Sequence, residues 1–176
     1  MAKRSDKQLS RQIGEHLVVA KLGRLGYRAT PFAGSVPGFD VLATDDKGRS
    51  IPIQVKTIKT GDWSFDAGSF LDIEVDENGW QHVNGKKTQP AMQNLIYVLV
   101  LLRDDEDDKY FVLRFNTLQE YFFRTYKGGR RPRNPKSFHC RIRLRNFEES
   151  EVLKGSRDNW DLIMQTFETI LERAES

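Results

Sequence analysis

The spacing of apolar and polar positions changes several times along the chain, and each change predicts an element. Residues 7–26 (KQLSRQIGEHLVVAKLGRLG) are rich in good helix formers with apolar positions three and four apart. They predict a helix with Ser5 or Asp6 as cap and Gly26 as C-terminal stop. At about 100° per residue, Leu9, Ile13, Leu17 and Ala20 fall on one face and Val18, Val19, Leu22 and Leu25 on the opposite one, with Glu15 among the second set. YRATPF (27–32) predicts a short strand, GSVPG a loop, and FDVLAT (39–44) a second strand. DDKG (45–48) has strong turn chemistry and SIPIQVKTI (50–58) follows as a strand, so that 39–58 reads as a β-hairpin.

Further on, SFLDIEVD near 69–76 predicts another strand, whereas NGWQHVNGKKTQP is rich in turn formers and reads as irregular. NLIYVLVLLR (94–103) is the clearest buried strand and is expected to pair with KYFVLRF (109–115) across the acidic tip RDDEDD. TLQEYFFRTYKG predicts a helix capped by Thr117 and ended by Gly128. SFHCRIRL predicts a late strand, and DNWDLIMQTFETILERA a final amphipathic helix with Asp158 as cap. With no repeat and no low-complexity linker, this order predicts one domain, residues 1–176, of the α/β (α+β) class.

Composition agrees with a folded chain: 38% of residues are hydrophobic and 30% charged, with 11 Phe, 5 Tyr and 3 Trp to build a core. The single cysteine, Cys140, excludes an intramolecular disulfide and a multi-thiolate zinc site, and fits a reducing, cytoplasmic setting. LIYVLVLL (95–102) is too short to span a bilayer, so no membrane association is expected. The net charge of +3 is a weak signal, but its distribution is not even. KGGRRPRNPKSFHCRIRLR (127–145) holds eight Lys or Arg and no carboxylate.

Four polar residues stand where hydrophobic patterning disfavours them. Glu15 lies among apolar helix positions and needs a compensating partner; Arg11, one turn earlier, would supply it as an ordinary surface ion pair. Asp40 opens a strand, where it either bonds local backbone or serves chemistry. Gln54 and Lys56 alternate with Ile53 and Val55 and so share one strand face, either a polar outer face or part of a site.

Taken together, GEHLVVAKLGRLGY, VPGFDVLAT and IPIQVKT resemble the PD-(D/E)XK, or restriction-endonuclease-like, nuclease superfamily and its Holliday-junction-resolvase-like relatives, over residues 10 to 60. Glu15 matches the helix acid, Asp40 the metal-binding aspartate, and Gln54 and Lys56 the (D/E)XK pair. The proline is displaced to position 37, and Gln54 stands where an acid is usual, as in some members of the superfamily. The resemblance implies a mixed β-sheet flanked by helices with core order αβββαβ, and metal-dependent hydrolysis of DNA to a 5′-phosphate. Mg²⁺ or Mn²⁺ would then take oxygen ligands from Asp40, Gln54, the Val55 carbonyl and Glu15, while Lys56 orients water and phosphate. DNA is the expected partner, and a homodimer is compatible with the sequence. A binding module of the same fold with a weakened site, or an immunity-type interaction protein on that scaffold, are the alternatives.

In SFHCRIRLR, Phe138, Cys140, Ile142 and Leu144 alternate with His139, Arg141, Arg143 and Arg145. The basic face either guards a sheet edge or tracks phosphates; Arg130, Arg131, Arg133 and Lys136 in the preceding loop would extend a nucleic-acid-binding surface made with His139, Arg141 and Arg143. Trp63 and Phe65 either stack on bases or pack in the core. A lone His139 is more often structural than a general base, and Cys140 reads as core.

Overall fold

The computed structural model describes residues 2–32, 38–88, 94–130 and 134–175. In chain order the elements are α1 (Ala2–Arg24), β1 (Arg28–Pro31), β2 (Val41–Thr44), β3 (Ser50–Ile58), β4 (Trp63–Asp66), a 3-10 turn (Ala67–Ser69), β5 (Leu71–Val75) and β6 (Trp80–Lys86). They continue with β7 (Ile96–Leu101), β8 (Lys109–Arg114), α2 (Phe115–Thr125), β9 (Gly129–Arg130), β10 (His139–Ile142), α3 (Asn146–Glu149) and α4 (Asp161–Glu175). The chain divides into two compact units: Met1–Gly61 with Asn94–Arg114 and Gly155–Ser176, and Asp62–Gln93 with Phe115–Lys154. Among the described residues no helix is long and apolar enough to cross a membrane.

The first unit is built on a five-stranded sheet of order β1-β2-β3-β7-β8. β3 and β7 run parallel and the other neighbours antiparallel, so the sheet is mixed, as expected. The DDKG turn sets the β2/β3 register at Val41↔Ile53 and Ala43↔Ile51. Asp45 fixes that turn by accepting from the backbone N–H groups of Lys47 (3.0 Å) and Arg49 (2.9 Å). Val41, Ala43, Ile51, Ile53 and Val55 then share a face with alternate residues of β7 and pack with Val18 and Leu22 of α1 and Ile163 and Phe167 of α4. The six residues of β7 are all buried. The mixed sheet flanked by helices that the α/β class predicts is therefore present in the first unit.

The connection between the parallel strands differs from the expected αβββαβ order. Among the described residues it carries β4, the 3-10 turn, β5 and β6, and no α-helix.

Of the two predicted faces of α1, the second is the buried one, through Val18 and Leu22, while Leu9 of the first face and Leu25 at the end of the second stay outside. Leu9 and Leu25 are 53% and 44% exposed, and the line that faces the sheet is Gly14, Val18 and Leu22. Gly14 explains the choice: a Cβ added there would stand 1.9 Å from Thr57 Oγ1, so only glycine lets the helix lie this close to β3. A hydrophobicity pattern gives glycine no weight and misses the contact. α1 also begins at Ala2, ahead of both expected caps, but ends as predicted: Gly26 has φ +91°, Gly26 N–H donates to Gly23 O (3.1 Å) and Tyr27 N–H to Leu22 O (3.0 Å), a Schellman closure.

The second unit contains a two-stranded sheet, β10-β4, and a three-stranded one, β5-β6-β9. Its core is aromatic, with Phe70 against Phe65, Phe115 and Phe122. Trp63 and Phe65 are 1% and 5% exposed, which settles them as core rather than as base-stacking surface. β6 occupies the stretch expected to be irregular. Its polar Gln81 is buried because its amide donates to the Pro135 (2.6 Å) and Ser137 (3.2 Å) carbonyls and accepts from Tyr126 Oη (2.6 Å). A core glutamine hides the period-two pattern of a strand. α2 starts two residues before Thr117, so that threonine is inside the helix rather than its cap. In the first unit α4 starts after Asp158, which takes φ +50° and donates its N–H to Tyr110 O (2.9 Å) instead of capping.

Gly14→Ala is expected to destabilise the protein by about 1–3 kcal/mol in denaturant unfolding despite alanine's better helix propensity. Thr57 Oγ1 is buried without a hydrogen-bond partner among the described residues. Removing it as Thr57→Ala should therefore recover part of the loss in the double variant; equal losses in single and double variants would count against the close approach.

Candidate active site

The site forms where β2 parts from β3. β2 is held on both sides at Asp40: its N–H donates to Ile53 O (2.9 Å) and its carbonyl accepts from Phe32 N–H (2.9 Å). Beyond that point β3 continues without β2, and the N–H of Val55, two residues past Ile53, leaves the same strand edge. The side chain of Asp40 takes it, Val55 N–H donating to Asp40 Oδ2 at 2.8 Å. An aspartate at this strand start thus completes the backbone hydrogen bonding of the neighbouring strand.

The same oxygen accepts from Gln54 Nε2, and Oδ1 accepts from Arg11 Nη2 at 2.7 Å. Arg11 Nε donates to Glu15 Oε1, also at 2.7 Å. One guanidinium therefore bridges two carboxylates whose side chains are 12% (Glu15) and 5% (Asp40) exposed, while its own side chain is 53% exposed. The hydrogen bond that Arg11 donates to Glu15, offset in part by desolvation and helped by the charge of Asp40, raises the Arg11 pKa above its already high value. The ordinary ion pair expected between Arg11 and Glu15 is present, and it extends to Asp40.

Gln54 and Lys56 lie on the strand face opposite the buried Ile53 and Val55, and both are half-buried. In the parallel register Gln54 stands beside Tyr97 and Lys56 beside Leu99. Tyr97 is 8% exposed, and its phenol is pushed up to about 12, chiefly by burial and then by the charge of Asp40. Sequence reasoning passed over it. The signal was there: a hydroxyl in the otherwise aliphatic run IYVLVL needs a polar environment on its face.

Asp40, Gln54, Glu15 and the Val55 main chain are thus gathered, with Lys56 one pleat along. Asp40 and Glu15 bring two carboxylates that already converge on one cation, oxygen chemistry that suits a hard divalent ion. Among the described residues no group of three His, Cys, Asp or Glu is placed to hold a metal, and the third side chain of this set is an amide.

The basic strand lies in the second unit. His139, Arg141 and Arg143 are exposed and Ile142 is buried, as the alternation requires. The pairing of β10 with β4 brings Asp62 to 3.4 Å from Arg143 Nε and 3.9 Å from Arg141 Nη1. An acid distant in sequence therefore partly balances a run that looks unopposed when read linearly. Arg141 Nε donates to His139 Nε2 (3.0 Å). Arg130 in β9 and Lys136 are exposed. Arg131 and Arg133 lie outside the described residues. Cys140 is half-buried opposite Phe65.

No protein-family model and no curated protein matches the sequence. The fold does have solved counterparts. One is the bacterial homing endonuclease I-Ssp6803I, similar with a TM-score of 0.53 at 15% identity, over 92% of this chain and 95% of that one. At that identity the likeness speaks for the fold, a fold that carries a nuclease in the other protein.

The Tyr97 shift gives a pH dependence with a definite sign. A phenol raised from 10.0 to about 12 keeps its proton in the native state after the unfolded chain has lost it. Stability is full below pH ~10 and falls by about 2 kcal/mol as pH rises to 12. Denaturant midpoints taken from pH 9 to 12 should show this fall in the parent beyond that in Tyr97→Phe; parallel curves would remove Tyr97 from the account.

Proposed function

We propose that the protein is a metal-dependent endonuclease that hydrolyses phosphodiester bonds of DNA, with a QxK form of the PD-(D/E)XK site. The observation that carries this reading is the convergence of Asp40 and Gln54 from adjacent strands with Glu15 from α1, on a fold similar to that of a homing endonuclease. Mg²⁺ or Mn²⁺ would be held by Asp40, the Gln54 and Val55 carbonyl oxygens and Glu15. Such an ion, when bound, supplies charge neutralisation at the phosphate.

The chain's own residues do the rest. Val55 N–H holds Asp40 in one orientation, so its charge needs no reorganisation when substrate arrives. Gln54 uses its nitrogen on Asp40 and keeps its carbonyl oxygen as an acceptor. Lys56, an ammonium with three donors, orients the attacking water and stabilises the phosphate oxygens as negative charge grows. Arg130, Arg131, Arg133, Lys136, His139, Arg141 and Arg143 contribute a phosphate-tracking surface.

One observation favours a second reading, a DNA-binding module with little cleavage. Arg11 already satisfies both carboxylates, and the third member of the set is neutral.

Cleavage of plasmid, single-stranded and branched DNA in Mg²⁺ or Mn²⁺ separates the two. Asp40→Asn and Lys56→Ala are each expected to lower the cleavage rate by about a hundredfold or more while DNA binding survives. If both variants cut like the parent, the site is elsewhere; salt-sensitive binding without cutting in any divalent metal supports the binding module.

A further inference from the structure

The position of Arg11 carries a consequence for how the site takes up metal. Two nearly buried carboxylates from different elements, Glu15 on α1 and Asp40 at the start of β2, face the same small volume. Left alone they would repel each other and lose hydration. A planar guanidinium with several donors satisfies both, through Nε to Glu15 and Nη2 to Asp40. It cannot be removed by deprotonation, since the pairing holds its proton more firmly still.

We propose that Arg11 is an internal counter-cation that occupies the site in the absence of metal, and that a divalent ion binds by displacing it from Glu15 and Asp40. This rests on taking those carboxylates as the metal-binding set.

Three features make the exchange feasible. Arg11 is half exposed, so its head can turn into solvent without disturbing the core. Asp40 keeps its other oxygen on Val55 N–H and Gln54 when Oδ1 is released, so the carboxylate does not collapse with the departure of its partner. The charge count also favours replacement over addition. Two carboxylates and one guanidinium sum to −1; a divalent ion in place of the guanidinium brings the pair to zero, whereas both cations together leave an excess of +1 beside two nearly buried carboxylates. Arg11 therefore lowers the affinity for metal and, by the same linkage, stabilises the metal-free protein.

The test uses Ca²⁺ as probe on the full chain, with isothermal titration calorimetry and thermal melts. Arg11→Ala is expected to bind Ca²⁺ about tenfold or more tightly than the parent. Without metal it should melt at a lower temperature, and Ca²⁺ should raise that temperature by more than it does in the parent. Arg11→Lys keeps a charge but no planar fork, and should fall between the two; it also serves if the alanine variant does not fold. In the unsubstituted protein, the Arg11 Nε–H resonance, assigned by its loss in Arg11→Lys, should move to its solvent-exposed position as Ca²⁺ saturates.

Equal or weaker Ca²⁺ binding in both Arg11 variants, with Asp40→Asn binding none, overturns the counter-cation role alone. So does an Nε–H resonance that stays in place at saturation. Parent and Asp40→Asn binding Ca²⁺ equally, or neither binding it, removes the metal-site reading and this inference with it.

Discussion

A single hydrogen bond, Val55 N–H to Asp40 Oδ2, ties the sheet to the site. β3 needs an acceptor at the point where β2 departs, and an ionised side chain supplies it. The bond serves two ends at once: it satisfies a backbone donor in the middle of a sheet, and it locks one carboxylate oxygen so that the other points at a cation. Every other member of the cluster is positioned relative to Asp40. Gln54 stands across the hairpin from it, and Glu15 reaches it only through Arg11. An asparagine could keep part of the backbone contact but would leave the guanidinium facing an uncharged oxygen.

How much of this was legible depended on sequence distance. The Asp40 and Gln54 pairing spans 14 residues and is governed by one tight turn, so local alternation and turn chemistry suffice to place it. Lys56 follows from the same strand period. The link from Arg11 to Asp40 spans 29 residues and depends on how closely α1 lies on the sheet, which Gly14 permits by what it lacks. Asp62 meets Arg143 across 81 residues, through a strand pairing that linear charge counting cannot see. Tyr97 enters through a parallel register, which no hairpin turn announces.

The predicted helix and strand identities were mostly right, and the failures share a cause. β6 is hidden by a buried glutamine, the close approach of α1 to β3 by a glycine, and the starts of α2 and α4 by hydroxyl and carboxylate residues that sit in or before helices without capping them. For Gln81, Gly14 and Asp158 a residue's usual role gives way to a long-range partner or to a required close approach.

The parallel pairing of β3 with β7 also bears on the order of folding. The hairpin that carries Asp40 and Gln54 closes a loop of a few residues, while β7 can join β3 only after the chain has travelled through residues 62–93, and α4 only after a second excursion through 115–154. Closing the longer loops costs more chain entropy and comes later. The half of the cluster borne by the hairpin can therefore assemble early, whereas its neighbour Tyr97 and the hydrophobic underside of the sheet arrive last. A partly folded chain would hold its acidic pair in a wetter and more weakly organised setting, so the desolvation of that pair is a property acquired at the end of folding.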